Sequence, residues 1–472
     1  MSTTNLDAKD ESWWERECGA RDVLRIAIPL VISTMSYTIM QFFDRLFLAW
    51  HSTSDLAAVV PAGVLSWTVL SLPLGVTMYA TTFVAQYFGA DAKNRIGAVI
   101  WQTIWIGLFA LPFFVLIGFF GESFFRAVDH SDDLVWREAT YFRILAMGSA
   151  ASVISAGLGA FWTGRGDTIT VMYVNMFGAA LNVVIDYPLI FGMKLPLGME
   201  LAERGIAGAA IATTISLWVT AGIFIFLFLR RQHRQEFATL THWKLDPIIL
   251  KRMLRYGLPN GLQFALEGGA ITVFVLIIAQ ISEQASAATA LAFSINMIVF
   301  IPVLGLSFAI TTLVGQQIGN GKPELASRAT WTGLWLALSY TSVFAISYIL
   351  APNVFLSLHE AGAHDFQQVK DLAAFLLIFV AAYCLFDTIQ IMFVAAIKGA
   401  GDTVFVVLFT MISSTSFVVG GFLIAEFFDS QGQVWAWWAC LTGWIVVLSV
   451  AYFLRFRGGK WKSMKVIEPE LV

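Results

Sequence analysis

Long apolar stretches dominate the chain, and short polar segments separate them. Each stretch is close to the roughly 20 residues that an α-helix needs to cross a hydrocarbon core about 30 Å thick. The pattern therefore predicts an all-α integral membrane protein with twelve transmembrane helices. The predicted spans are residues 26–50, 56–84, 96–120, 140–161, 169–193, 206–229, 257–280, 286–314, 329–351, 372–397, 403–427 and 434–455.

The longest polar connection, residues 230–256, divides the spans into two groups of six. Because six is an even number, both groups enter the membrane in the same direction, which predicts parallel repeats about an axis along the membrane normal. The predicted parts are an amphipathic N-terminal tail, an N-lobe with spans 1–6, a basic linker, a C-lobe with spans 7–12 and a C-terminal tail. Their bounds are 1–25, 26–229, 230–256, 257–455 and 456–472.

An internal repeat supports the division into two lobes. At a shift of 230 residues without a gap, one half matches the other at Pro, Gln, Gly and Trp positions, whereas chance matches in apolar sequence would favour Leu, Val and Ala. At a shift of 235 residues, a Gly-x-Gly-Asp-Thr motif recurs. The matched pairs include Pro29 with Pro259, Gln86 with Gln316, Gly89 with Gly319, Trp101 with Trp331, and 164–168 with 399–403.

The two repeated motifs lie where helices end. Gln-x-x-Gly closes the second span of each half, and Gly-x-Gly-Asp-Thr joins the fourth and fifth spans. Glycine supplies a tight turn, and we expect Asp-Thr to cap the next helix. No strand precedes the Gly-x-Gly motif, so a dinucleotide site is rejected.

Composition agrees with a membrane protein. The 472 residues are 58% hydrophobic and 13% charged, with a mean hydropathy of +0.74, whereas soluble domains are about 25% charged. Three cysteines imply no disulfide framework. All six histidines fall in predicted loops, and neither Gly-x-Ser-x-Gly nor His-Glu-x-x-His occurs. An intramembrane enzyme is therefore the most distant alternative.

Charge in the loops predicts the orientation. Most Lys and Arg residues lie in the two tails and in the loops that follow even-numbered spans. By the positive-inside rule, both termini are expected in the cytoplasm, and the chain is expected in the plasma (inner) membrane. The lipid bilayer is the expected partner. No nucleic acid is expected, and a monomer is the default because each chain contains its own pathway.

One acid lies well inside the seventh span. Glu267 follows Pro259 by eight residues, and a carboxylate at that depth costs at least a few kcal/mol. On the tenth span, Tyr383, Asp387 and Gln390 share one helix face and are expected to face Glu267. This group predicts a cation or proton site, with Na⁺ held at Glu267 and Asp387. The alternative is a network of protonated acids that only packs the helices.

The first half carries a different polar group. Asp44 lies on span 1, Asn182 and Asp186 lie one turn apart on span 5, and Thr213 lies on span 6. Oxygen ligands in this number suit Na⁺, or a proton shared by two acids. The alternative is that Asn182 bonds a neighbouring helix while Asp186 lies near the outer end of its span.

Arg45 directly follows Asp44 and lies inside the first span. We expect its side chain to snorkel towards the interface. The alternative is a pair with Asp186 that supports the cavity.

Taken together, the sequence resembles the multidrug and toxic compound extrusion (MATE) transporters of the NorM type. The resemblance rests on twelve spans in two parallel halves, the paired Gln-x-x-Gly and Gly-x-Gly-Asp-Thr loops, and acids eight and fifteen residues past the repeated prolines. It implies two six-helix lobes that form a V around a central cavity. By position, Glu267, Tyr383 and Asp387 match the family's C-lobe cation site, and Asp44 matches its N-lobe acid. Asn182 with Asp186 resembles the N-lobe site of archaeal members, and Thr213 is a looser match.

The resemblance also implies a function. It predicts a secondary active antiporter that exports cationic, amphipathic compounds in exchange for Na⁺ or H⁺ by alternating access of the two lobes, with no other cofactor. The main alternative is a lipid-linked saccharide flippase of the same superfamily. Such flippases often have an Arg-rich cavity and more than twelve spans, whereas this sequence offers only Arg45 and Arg143 in or near its spans.

Overall fold

The structure is a computed structural model that describes residues 12–127, 130–194, 200–357 and 366–468. In these ranges, twelve helical segments are long and apolar enough to cross a membrane, which confirms the predicted number of spans. The helices are α1 (Ala20–His51), α2 (Thr53–Met78), α3 (Ala80–Gly89), α4 (Ile96–Ala127), α5 (Asp132–Thr163), α6 (Thr168–Phe191), α7 (Gly205–Phe228), α8 (Arg231–Glu236), α9 (Pro247–Ile281), α10 (Glu283–Gly319), α11 (Pro323–Leu350), α12 (Pro352–Leu356), α13 (Phe366–Ala400), α14 (Thr403–Ala425) and α15 (Ser430–Arg457). Two short strands, β1 (Met193–Lys194) and β2 (Glu200–Leu201), pair antiparallel.

Helices α2 and α3 together form the second span, and α9 forms the seventh. Helix α9 begins at Pro247, before the predicted boundary at residue 257, so the last part of the predicted linker belongs to this helix. Asp246 caps it by accepting hydrogen bonds from the backbone N–H groups of Ile248 (2.9 Å) and Ile249 (3.2 Å). A side-chain cap followed by proline in the first turn is a strong helix start, which explains the early boundary.

The two ends of the helix bundle differ. We call one end the basic end: it holds both described termini and the short loops 90–95, 164–167, 320–322 and 401–402. The other end, the opposite end, holds the connections between α1 and α2, between α6 and α7 and between α9 and α10. Helices α1–α7 form the N-lobe, and α9–α15 form the C-lobe.

The lobes meet along α1, α2 and α3 of the N-lobe and α9 and α10 of the C-lobe. Near the middle of this contact, Gly75 and Gly261 lie so close that a Cβ atom on Gly75 would overlap the Gly261 Cα. Asn260 Nδ2 donates to the Gly75 carbonyl oxygen at 2.7 Å. Two glycines thus allow backbone-to-backbone contact between the lobes, and an amide stabilises it.

At the basic end, the repeated glutamines bond across the lobes in a reciprocal manner. Gln86 Nε2 donates to the carbonyl oxygens of Gly399 (3.0 Å) and Ala400 (3.2 Å). Gln316 Nε2 donates to the Gly164 carbonyl oxygen at 2.8 Å. The Gln-x-x-Gly motif of each half therefore binds the Gly-x-Gly-Asp-Thr loop of the other half. We call these two contacts the glutamine lock.

The repeated glycines make the glutamine lock possible. A Cβ atom on Gly89 would overlap the Gln316 carbonyl oxygen, and one on Gly319 would overlap the Gln86 carbonyl oxygen. The ends of α3 and α10 therefore touch through their backbones.

The expected Asp-Thr caps occupy the right positions but bond elsewhere. Asp167 and Asp402 are the N-cap residues of α6 and α14, yet neither side chain caps the backbone N–H groups of its helix. Asp167 accepts from the side chain of Thr170 at 3.4 Å. Asp402 instead accepts from Arg455 Nε at 2.7 Å, and Thr168 Oγ1 donates to the Ile26 carbonyl oxygen at 3.0 Å. These groups tie neighbouring helices together at the basic end.

The C-terminal segment adds a second connection between the lobes. The backbone N–H of Val466 donates to Gln86 Oε1 at 2.8 Å, and Tyr87 Oη donates to Glu468 at 2.6 Å. Glu468 also pairs with Arg252 at 2.9 Å. Because Val466 is buried, the segment that leaves the C-lobe packs into the basic end and reaches the N-lobe.

The connection between α8 and α9 is bound to the N-lobe. Trp101 Nε1 donates to the Thr239 carbonyl oxygen at 2.6 Å, and Trp105 Nε1 donates to the Trp243 carbonyl oxygen at 3.0 Å. Two tryptophan indoles of α4 thus bind the polar connection between α8 and α9. This connection therefore packs on the surface of the N-lobe.

Arg165 of the first repeated loop is also held at this surface. Its guanidinium carbon lies 4.0 Å from the ring centre of Phe161 and 4.6 Å from that of Phe237. Burial lowers the pKa of Arg165 to about 10, which still leaves the group charged at neutral pH. Arg165 therefore acts in loop packing, away from the acids of either lobe.

Towards the opposite end the lobes form separate cores. Apolar residues of α1, α2, α4, α5, α6 and α7, such as Phe47, Phe142 and Ile190, form a cluster confined to the N-lobe. In the C-lobe, Phe274 of α9 packs against Trp437 and Trp438 of α15. Contact at one end and separate cores at the other give the V-shaped arrangement with a central cleft.

Gly89→Ala should disturb the glutamine lock, because the added Cβ meets a backbone carbonyl that has no rotamer to adopt. Overpacking of this kind destabilises by about 1–3 kcal/mol. Spin labels on exposed loop residues of the two lobes, at Asn94→Cys and Asn320→Cys in a chain without its native cysteines, report the distance across the basic end. We expect Gly89→Ala and Gly319→Ala to shift this distance towards longer values in pulsed EPR.

The matched control is Gly443→Ala on α15, where an added Cβ meets nothing within 4 Å. It should leave the distance distribution unchanged. An unchanged distribution for both Gly89→Ala and Gly319→Ala would contradict the close approach seen here.

Candidate cation sites in the two lobes

Four polar residues of the N-lobe converge in its interior. Helix α6 packs on both α1 and α7, and this brings Asn182 and Asp186 to Asp44 and Thr213. Asn182 Nδ2 donates to Thr213 Oγ1 at 3.3 Å, and Thr213 Oγ1 donates to Asp44 Oδ2 at 3.5 Å. Asn182 and Asp186 are fully buried, and the other two are at most 9% exposed. The structure thus brings together the four residues that the sequence analysis grouped.

Oxygen atoms in this group are left without partners. Asp44 Oδ1, Asn182 Oδ1 and both Asp186 carboxylate oxygens are buried and accept no hydrogen bond within the described part of the chain. The two carboxyl groups interact directly with each other. Two adjacent buried carboxylates without a basic partner are strongly unfavourable, so the group requires a proton or a bound cation.

The chemistry of this N-lobe group fits a hard monovalent cation or a proton. Carboxylate, amide and hydroxyl oxygens are the ligands that hard cations prefer. Two acids in contact also hold one proton between them readily. In the described ranges, no three His, Cys, Asp or Glu side chains come together as they would in a transition-metal site.

Arg45 points away from this group. Its side chain is exposed, whereas the adjacent Asp44 is buried. The ion pair between Arg45 and Asp186, considered as an alternative from the sequence, is not formed among the described residues.

The acids of the C-lobe face each other across a gap. Glu267 lies on α9 and Asp387 on α13, and each is partly exposed. The two carboxyl groups interact electrostatically, but α9 packs mainly on α2 and α14, whereas α13 packs on α10, α11 and α15. Solvent therefore reaches both acids.

The other two predicted C-lobe residues are buried in the helix packing. Tyr383 is 3% exposed, and its ring centre lies 6.4 Å from that of Trp438. Gln390 is 6% exposed on the same helix. Tyr383 and Gln390 thus support the helix that carries Asp387, while the partly exposed groups are the two acids.

Two further residues join this site that sequence reasoning did not place there. Gln263 Nε2 donates to Glu267 Oε1 at 2.9 Å, and Lys398 Nζ donates to Gln263 Oε1 at 2.9 Å. The predicted tenth span ended at residue 397 and left Lys398 in the following loop, but the residue lies in the last turn of α13. Helical spacing could have placed both residues at this site, since Gln263 lies one turn from Glu267 and Lys398 lies three turns from Asp387 on the same helix face.

The two sites differ in what they can hold. The N-lobe group is buried, and its oxygen atoms without hydrogen-bond partners among the described residues suit a small cation or a proton. The C-lobe acids Glu267 and Asp387 are partly exposed instead.

Asp186→Asn should raise the thermal stability of the detergent-solubilised protein at neutral pH without added Na⁺. The change removes one of two adjacent buried carboxyl groups and adds an N–H donor for Asp44. We expect a gain of about 1 kcal/mol or more, measured as a higher melting temperature.

Asn182→Asp provides the matched test with the opposite sign, because it adds a third carboxyl group to the same buried site. Its melting temperature should fall under the same conditions. A lower melting temperature for Asp186→Asn would contradict the view that the unpaired acids destabilise the empty site.

Comparison with known families gives a consistent result. The family model described as MatE matches residues 29–188 and 259–423, which is one segment in each lobe. A probable multidrug resistance protein NorM of Xanthomonas axonopodis pv. citri is 28% identical over 385 residues, which is 80% of this chain and 81% of the relative. A protein of the same description from Thermotoga maritima is 24% identical over 96% of this chain and 95% of its own length.

Solved structures share the fold. A MOP superfamily transporter from Pyrococcus furiosus superimposes with a TM-score of 0.83 at 22% identity, over 94% of this chain and 97% of that one. An outward-facing multidrug resistance MATE family transporter of the MOP superfamily gives a TM-score of 0.83 at 21% identity, over 97% and 99% of the two chains. With the family model matched in both lobes, these findings identify the chain as a member of the MatE family, whose named relatives are multidrug transporters and not enzymes.

Proposed function

We propose that the protein is a secondary active antiporter that exports cationic, amphipathic compounds in exchange for Na⁺ or H⁺. The observation that carries the proposal is the N-lobe group of Asp44, Asn182, Asp186 and Thr213, with four buried oxygen atoms that have no hydrogen-bond partner among the described residues. A membrane protein retains such a group when a cation or proton occupies it for part of a working cycle.

The C-lobe acids supply the second half of the proposal. Glu267 and Asp387 are partly exposed on the cleft side of their helices, so a cationic compound in the cleft can reach them. Trp67 of α2 is 47% exposed and lies beside Gly268, the neighbour of Glu267. An aromatic face next to a carboxylate is a suitable surface for an amphipathic organic cation.

Orientation follows from the charges at the basic end. Because cytoplasmic loops of membrane proteins are rich in Lys and Arg, the basic end faces the cytoplasm, both termini are cytoplasmic, and the host membrane is the plasma (inner) membrane. The glutamine lock then closes the cytoplasmic side, and the cleft opens outward. Each chain contains a complete pathway, so the protein works as a monomer in the bilayer.

Exchange arises if cation and compound favour opposite conformations. A cation entering from outside neutralises the N-lobe acids and favours opening of the cytoplasmic side. An organic cation binds after the small cation has left, and its binding favours the return. Each ligand thus shifts the equilibrium by its differential affinity for the two conformations.

Transport of ethidium by the purified protein in liposomes tests the proposal. The driving gradient is Na⁺ alone or H⁺ alone, applied to the wild type, Asp44→Asn and Glu267→Gln. We expect wild-type transport on one of the two gradients and at least a tenfold loss for Asp44→Asn, because the N-lobe group no longer carries two acids. Matched empty liposomes and the exposed-surface variant Lys322→Met serve as controls.

The pattern across variants identifies the coupling lobe. Loss in Asp44→Asn with residual transport in Glu267→Gln assigns coupling to the N-lobe, and the reverse assigns it to the C-lobe. No ethidium movement under either gradient would refute multidrug antiport and favour a flippase of the same superfamily, for which a fluorescent lipid-linked saccharide is the next substrate.

A further inference from the structure

A chain of contacts connects the C-lobe acid Glu267 with the lobe interface. Glu267 accepts from Gln263 Nε2, and Gln263 Oε1 accepts from Lys398 Nζ, both at 2.9 Å. The backbone carbonyl of Lys398 accepts from Tyr79 Oη of the N-lobe at 2.8 Å. One lysine therefore touches the acid site through its side chain and the other lobe through its backbone.

The direction of the Gln263 amide is set by its two neighbours. An ammonium group has only donors and an ionised carboxylate has only acceptors. Gln263 must therefore present its oxygen to Lys398 and its N–H group to Glu267. A change in the charge of Glu267 alters the hydrogen bond that orients the Gln263 amide. It thereby also alters the hydrogen bond between this amide and the ammonium group of Lys398.

The residues after Lys398 form half of the glutamine lock. The carbonyl oxygens of Gly399 and Ala400 accept from Gln86, directly after the carbonyl that accepts from Tyr79. On α9, Asn260 lies one turn before Gln263, and its side chain donates to the carbonyl oxygen of Gly75 in the N-lobe. We call Glu267, Gln263 and Lys398 the relay. Helices α9 and α13, which carry the relay, therefore also carry contacts between the lobes.

The first half of the repeat lacks all three members of the relay. The positions that match Gln263 and Glu267 hold Ser33 and Tyr37, and the position that matches Lys398 holds Thr163. Ser33 instead accepts from Asn175 Nδ2 at 2.7 Å. The flanking Pro, Gln, Gly and Asp residues match in both halves, so the three relay positions differ as a set within a retained framework.

From this geometry we propose that Lys398 is a positioning residue that couples the charge of Glu267 to closure of the basic end. The inference rests on alternating access as set out under the proposed function. While Glu267 is ionised, Gln263 and Lys398 hold the last turn of α13 where its carbonyl groups meet Tyr79 and Gln86. A proton or a small coupling cation on Glu267 weakens that hold, and the basic end opens.

The direction of this coupling agrees with the proposed exchange of a coupling ion for an exported compound. Ionised Glu267 stabilises the conformation seen here, in which the glutamine lock is formed. Glu267 that is neutralised by a proton or a small coupling cation favours release of the lock, so the coupling ion that arrives from the open side promotes its own delivery to the other side.

The spin-label pair Asn94→Cys and Asn320→Cys in nanodiscs tests the relay without any transport measurement. Glu267→Gln serves as the probe for a neutralised acid. We expect Glu267→Gln and Lys398→Met each to raise the population with an open basic end about fivefold. The double variant should open no further than either single variant, because both changes break the same link.

Three further variants separate the relay from general effects. Lys398→Arg retains the charge and should keep both the closed population and its response to Glu267→Gln. Gln263→Met leaves both charges in place but removes the bridge, and it should abolish that response even if Lys398→Met does not fold. Lys322→Met removes an exposed lysine from the same end and should change nothing.

Additive effects of Glu267→Gln and Lys398→Met would overturn the proposal, as would a distance distribution that Lys398→Met leaves unchanged. A full response of Gln263→Met to Glu267→Gln would also overturn it. Ethidium transport by the wild type is judged separately, so failure of the relay is distinguishable from failure of the proposed function.

Discussion

The reciprocal contact at the basic end is the constraint on which the rest of the structure depends. Gln86 bonds the loop of the C-lobe and Gln316 bonds the loop of the N-lobe, with Gly89 and Gly319 allowing the backbones to touch. The two contacts are related by the internal repeat, so movement of one lobe strains both together. An interface of this kind favours two discrete states, closed or open, over a continuous range.

Each lobe handles the difficulty of a carboxylate in the membrane in a different way. In the N-lobe, Asp44 and Asp186 lie beside Asn182 and Thr213 and form no ion pair with a basic side chain in the described part of the chain, so a proton or a cation is needed to balance two charges. The C-lobe has two acids, Glu267 and Asp387, and places Lys398 within reach of Glu267 through one amide. In the proposed exchange, the N-lobe group therefore depends more on a bound cation than the C-lobe group does.

Much of the fold could be predicted from the sequence because membrane crossing imposes a strong pattern. Span length, loop charge and the repeat predicted the number of spans and the two lobes, and the helical spacing of Asn182 and Asp186 predicted the convergence of the N-lobe group. The early start of α9 at Pro247 was missed because residues 247–256 are amphipathic and lack the continuous apolar pattern of a membrane span. Periodicity along one helix is informative about which residues share a face, and it explains these successes.

Periodicity along the sequence could not predict the contacts between segments that are distant in sequence. The Gln-x-x-Gly motif was interpreted as a helix end, whereas its glutamine bonds a loop 313 residues away in one half and 152 residues away in the other. Lys398 follows the predicted end of the tenth span at residue 397, and only the assembled lobe brings its ammonium group to Gln263 across the gap between α13 and α9. Sequence spacing cannot show which helices become neighbours, so such residues emerge only when the lobes are assembled.

The structure combines a symmetric closure with asymmetric acid sites, and this combination has a physical consequence. A lock built from two equivalent contacts cannot itself distinguish cation from exported compound. The distinction has to come from groups that differ between the halves, and the relay positions are such a set, with Glu267, Gln263 and Lys398 in one half and Tyr37, Ser33 and Thr163 in the other. In the proposed exchange, divergence at three positions within a retained framework is therefore sufficient to give a two-state closure a chemical trigger.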